Sequence, residues 1–120
     1  MDATIKGCAT AASSLGYHDV AALILEEGMG PGRIALLFQL SASRQAPRHA
    51  ALIILAGGIS RHRAEPEGWS GDIERALARE ALERERPNVR DLDGLLAELS
   101  AEAARLVKGG LKREPLRAVA

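Results

Sequence analysis

Five arginines, Arg33, Arg44, Arg48, Arg61 and Arg63, lie in the stretch "RIALLFQLSASRQAPRHAALIILAGGISRHR", which also holds two histidines and no aspartate or glutamate. A guanidinium stays charged at any physiological pH, and its planar fork of donors matches the oxygens of a phosphate. The chemistry open to such a block is contact with a nucleic-acid backbone, each contact releasing a counterion so that affinity falls as salt rises. Arg44 and Arg48 are four residues apart, one face of a helix, while Arg61 and Arg63 cluster where a helix ends and where cations also favour the helix dipole. The alternative is internal pairing. The chain as a whole has a formal charge of zero, and residues 64–120 carry twelve acids against ten bases, so acidic partners for the block exist within the same fold.

Other chemistry-bearing residues are scattered. His18, His49 and His62 show none of the i, i+3 or i, i+4 spacings that place two metal ligands on one helix face, and His62 stands between two arginines whose charge opposes a cation. They are expected to be structural or solvent-exposed, with no metal and no cofactor bound. Cys8, in an alanine-rich segment, is expected to be a small buried hydrophobe rather than a nucleophile. Glu26 and Glu27 precede a glycine turn at a helix end and have no partner for acid/base work. The turn "EGMGPGR" has backbone donors and Arg33 beside it, but no strand before it and no Gly-Lys-Ser ending, so a helix-to-helix turn is expected rather than a nucleotide loop. No catalytic constellation emerges, and no enzymatic activity is expected.

The elements that must position these residues are read from helical periodicity and from glycine and proline punctuation. Alanine and leucine dominate, and the aromatics are Tyr17, Phe38 and Trp69 alone, which points to an all-α fold without an aromatic ladder for base stacking. A chain of 120 residues makes one ordinary domain. A helix is predicted from about Ala3 to Ser14, and a second in "GYHDVAALILEEG", with Val20, Leu23 and Ile24 on one face and Gly28 as its cap. "MGPG" is a turn; a third helix restarts near Arg33, and a fourth follows Pro47 and is weakened at its end by Gly57 and Gly58. "AEPEGWSG" is the clearest linker. A fifth helix, capped by Ser70 or Asp72, runs from Ile73 to about Glu85 with Arg79 and Glu83 on its solvated face. Pro87 ends it, Asn88 caps the next, and Leu92, Leu95, Leu96, Leu99, Ala103 and Leu106 form the strongest stripe in the chain, which Gly109 and Gly110 stop. The expected architecture is a single compact domain of five or six helices packed as hairpins over residues 1–110, with a flexible tail at 111–120.

Three local resemblances bear on function. "AALILEEGMG" followed by "RIALLF", within residues 21–38, resembles the small helical subunit of type III CRISPR effector complexes, and that resemblance implies a non-catalytic accessory subunit that contacts nucleic acid inside an assembly. The inserted Pro31-Gly32 departs from that pattern. "GYHDVAALILEEGM", within residues 12–29, is similar to the second helix of an ankyrin repeat, with a faint thirty-residue echo at Ala42-Ser43, Leu55 and Gly58-Ile59; this implies a protein-interaction module. "IALLFQLS", opening residues 34–49, resembles the first helix and turn of a helix-turn-helix, which implies a DNA-binding regulator, although Pro47 falls where the recognition helix would run.

Partners expected from residues and resemblances together are a nucleic-acid backbone, RNA or DNA, and the protein subunits of a complex, with a homo-oligomer open as well. The single cysteine suits a reducing cytosol, the N-terminal stretch lacks the apolar core of a signal peptide, and the run "AALIILAGGI" is about half the ~20 residues of a membrane span, so a cytoplasmic protein is expected.

Overall fold

Alanines and glycines at close spacing allow two helix backbones to approach where leucines would hold them apart, and this chain uses both kinds of surface. The computed structural model describes residues 2–68, 71–85 and 90–108. Among them are six helices and no strand: α1 (Ala3–Ser14), α2 (His18–Glu27), α3 (Pro31–Gln39), α4 (Ala46–Ala64), α5 (Asp72–Glu85) and α6 (Leu92–Val107). The all-α single domain expected from composition is the fold observed; the proposed tail at 111–120 lies outside the described residues.

The core is built around α4. Its residues from Ala50 to Gly58 are all buried, and it packs against α1, α3, α5 and α6. Leu52, Ile53 and Ile54 are fully buried there, joined by Ile24 from α2, Ile34 from α3, Leu82 from α5 and Leu99 from α6. Each such side chain contributes about 1.5–3 kcal/mol relative to remaining exposed. Of the C-terminal stripe, Leu96, Leu99 and Ala103 are buried against this core and Leu92, Leu95 and Leu106 are half-buried, so the stripe closes the domain.

Gly57 and Gly58 correct an expectation. They do not weaken the end of α4, which continues helical to Ala64. Their role is packing: a Cβ on Gly57 would come within 3.0 Å of the Thr4 carbonyl oxygen and closer still to Cys8 Sγ, and one on Gly58 would come within 2.9 Å of Glu74. Gly7 of α1 meets α4 in the same way, its missing Cβ lying 2.7 Å from the Ala56 carbonyl oxygen. The two helices run antiparallel with their backbones nearly touching, and the helix-propensity cost of glycine, about 1 kcal/mol each, is offset by that contact. Glu74, only 3 % exposed, rests on Gly58 with Oε1 lacking a hydrogen-bond partner among the described residues.

Caps explain the remaining boundaries. Asp2 accepts from the Thr4 amide at 2.7 Å and starts α1. Gly28, at φ 62°, ends α2 in the left-handed conformation. α3 starts at Pro31 rather than near Arg33, because proline's fixed φ suits the first helical position. Pro47 likewise sits in the first turn of α4. α6 is capped by Asp91, which accepts from the Gly94 amide at 2.8 Å; Pro87 and Asn88, read as the stop and cap there, lie outside the described residues, as do Ser70, Gly109 and Gly110.

Candidate nucleic-acid interface

At 1.5 Å per residue, the nineteen residues of α4 span about 28 Å. The arginines that are neighbours in sequence are thereby divided. Arg44 and Arg48 stand at the N-terminal end of α4, Arg61 and Arg63 at its C-terminal end, and Arg33 lies apart in the first turn of α3.

Two of the five are engaged. Arg48 donates to Glu102 of α6 at 2.5 Å, with both side chains partly shielded, which is the internal pairing with a C-terminal helix that the charge distribution allowed. Arg61 bridges Asp2 at 3.0 Å and Glu65 one turn along α4, tying the C-terminal end of α4 to the start of α1. Partial burial tends to raise the Asp2 pKa, but the Thr4 hydrogen bonds and the Arg61 charge outweigh it and hold the carboxyl below its ordinary value. Arg33, Arg44 and Arg63 are exposed and have no ion-pair partner among the described residues.

The C-terminal end of α4 draws residues from three helices. A cavity of about 280 Å³ opens there between α4, the start of α5 and the middle of α6. Leu55, Gly58 and Ile59 form its apolar floor, and His62, Arg63, Arg75 and Ser100 bring polar groups to it. Arg75 also pairs with Asp72 in its own first turn. Sequence reading missed Arg75 and Ser100. Arg75 lies outside the acid-free block, and nothing local in the sequence places it or Ser100 beside Arg63.

The N-terminal site is a loop. Residues 40–45 connect α3 to α4, with Ser41 Oγ accepting from the Ser43 amide at 3.2 Å and Ser43 Oγ accepting from the Gln45 amide at 3.1 Å. These serine turns hold Arg44 beside a polar recess of about 630 Å³ that runs to Arg48. From Ala50 to Gly58, α4 has no free face to lay in a DNA groove.

Of the histidines, only His62 lines the arginine cavity; His18 stands 3.3 Å from Ser13 Oγ, and His49 and Cys8 are held within the fold. Tyr17 Oη and His49 Nδ1 are 2.6 Å apart, and the Tyr17 ring meets Phe38 edge to face at 5.2 Å, so neither aromatic stands free for base stacking. With the His49 proton on Nε2, the Tyr17 hydroxyl donates to Nδ1. Burial, and secondarily the Arg48 charge, push the His49 pKa below its ordinary value, with Glu102 opposing; the neutral ring that can accept this bond is therefore favoured. Cys8 is fully buried, and burial, reinforced by the Glu74 charge, raises its thiol pKa to about 12. Among the described residues no three His, Cys, Asp or Glu side chains gather as a metal site would require, and no helix is long and apolar enough to cross a membrane. Comparison with protein-family models, with curated proteins and with solved structures finds no significant match.

Proposed function

We propose that this protein is a non-catalytic helical accessory subunit that contacts a nucleic-acid backbone within a larger cytoplasmic assembly. The observation that carries this is the cavity between α4, α5 and α6, where Arg63 and Arg75 converge with His62 and Ser100, together with the unpaired Arg44 at the far end of the same helix. Guanidinium groups at separate points on a helical framework suit phosphates and strand shape, and without free aromatic faces they carry little sequence preference. Arg33 adds a further exposed charge, while Arg48 and Arg61 act through the ion pairs that fix the two ends of α4. The resemblance of residues 21–38 to the CRISPR small subunit favours single-stranded RNA as the strand.

Fluorescence anisotropy against labelled single-stranded RNA, single-stranded DNA and duplex DNA across a salt series tests this. The expected result is binding whose log affinity falls with log salt, the slope dropping by about 1 for each of Arg44→Ala and Arg63→Ala. Absence of binding even at low salt overturns it. A second reading, a helical protein-interaction module, is favoured by one feature, the exposed Leu36 of α3 and Leu40 at its C-terminal cap.

A further inference from the structure

α3 has almost no polar face. Its sequence from Ile34 to Leu40 is apolar at every position except Gln39. A helix that is apolar all round is normally buried all round. Here Ile34 and Phe38 face the core, yet Leu36 is 60 % and Leu40 87 % exposed. At about 100° per residue, Leu37, Leu40 and Leu36 follow one another around the helix from the edge of the core to its outer side. Beside Leu37 an apolar groove of about 310 Å³ opens between α2 and α3, lined by Val20, Leu23, Leu37 and Phe38, with Asp19 and Ser41 at its mouth. Exposed leucines and an unfilled apolar groove therefore lie side by side on one surface.

We propose that this surface is the interface of a two-fold homodimer in which the α3 helices cross antiparallel and Leu36 and Leu40 of each copy pack into the α2–α3 groove of the other. Three observations select a second copy of this chain as the occupant. The surface carries both the protruding and the receiving apolar parts, which is what an isologous contact needs. Its charges also match under the same symmetry. A two-fold axis crossing α3 at Leu36–Leu37 sets Arg33 opposite the Leu40–Ser41 end of the other copy, and Asp19 lines the same groove as Ser41. Finally, Arg33 and Asp19 are both exposed and neither has an ion-pair partner among the described residues, so each is available to the other across the axis. This inference stands apart from the nucleic-acid reading, since it uses neither the cavity at the end of α4 nor Arg44.

Sedimentation velocity over a concentration series of the full chain provides the test. The wild type is expected to show a monomer–dimer equilibrium, and Leu36→Glu with Leu40→Glu to weaken it by at least about tenfold, because burying a leucine is worth that much or more. Both leucines are exposed, so circular dichroism should stay unchanged, as should the thermal midpoint at concentrations where the wild type is monomeric. Arg33→Asp alone and Asp19→Arg alone should each weaken dimerisation a few-fold, as expected of a rim ion pair, and the double exchange should restore it. A wild type that stays monomeric at every concentration overturns the proposal, as does a leucine variant that dimerises like the wild type. Failure of the double exchange to restore the dimer overturns the antiparallel arrangement.

Discussion

The Tyr17–His49 contact joins residues thirty-two apart in sequence and fastens the turn before α2 to the first turns of α4. His49 is faced by Tyr17, Arg48 and Glu102, and its pKa is lowered by burial more than by the Arg48 charge. A base whose pKa is lower folded than unfolded takes up protons on unfolding, so stability rises with pH in that interval. The stabilisation is complete above the unfolded value near 6.5 and is lost as pH falls below it. Thermal midpoints measured from pH 7.5 down to pH 5 are expected to drop for the wild type and to drop less for His49→Gln. Equal slopes for the two proteins would remove His49 as the cause. In the sequence His49 was simply one of three unpaired histidines, because nothing local indicates a partner in a different helix.

Between α1 and α4, glycine acts as a spacer whose absence of side chain sets the interhelical distance. Gly7→Ala would drive a Cβ onto the Ala56 carbonyl and the Ser60 side chain. Backbone atoms cannot move aside as a flexible side chain can, so overpacking by about 1–3 kcal/mol should exceed the ~1 kcal/mol gained in helix propensity. Urea denaturation should show a lowered midpoint for Gly7→Ala, whereas Gly32→Ala, on an open exposed position of α3, should be neutral or stabilising. The existence and order of the helices were legible from proline, glycine and the Leu92–Leu106 stripe, since those signals are local. The meaning of Gly57-Gly58 was not, because a glycine pair looks the same in sequence whether it ends a helix or admits another one. The unbroken helix also divides a basic block that is continuous in sequence: α4 runs to Ala64 and carries Arg61 and Arg63 to the opposite end of the helix from Arg44.

As a whole, the fold has one hub, with α1, α3, α5 and α6 all resting on α4. No helix pair can leave without uncovering that hub, and unfolding is expected to be a single cooperative transition. Cys8 reports on it directly. Its thiol is fully buried against Gly57, and burial raises its pKa to about 12, so a disulfide reagent at pH 8 should react at the rate of global unfolding and speed up with denaturant along the unfolding limb. Labelling at the rate of a free thiol in native conditions would instead mean that α1 detaches by itself. The charge balance was legible at this scale as well, though only as a pair of alternatives. Arg48 and Glu102, fifty-four residues apart, show that internal neutralisation and exposed arginines coexist in one block.

The unbroken course of α4 through its buried glycines has one more consequence. A helix clamped on four sides works as a gauge of fixed length, so Arg44 and Arg63 are held at a set separation instead of adapting to whatever they meet. A polyanion too short to bridge about 28 Å can engage one end only, while a longer one gains the second contact at little further entropic cost. Affinity should therefore step upward at a threshold oligonucleotide length rather than climb smoothly, and α4 sets where that step falls.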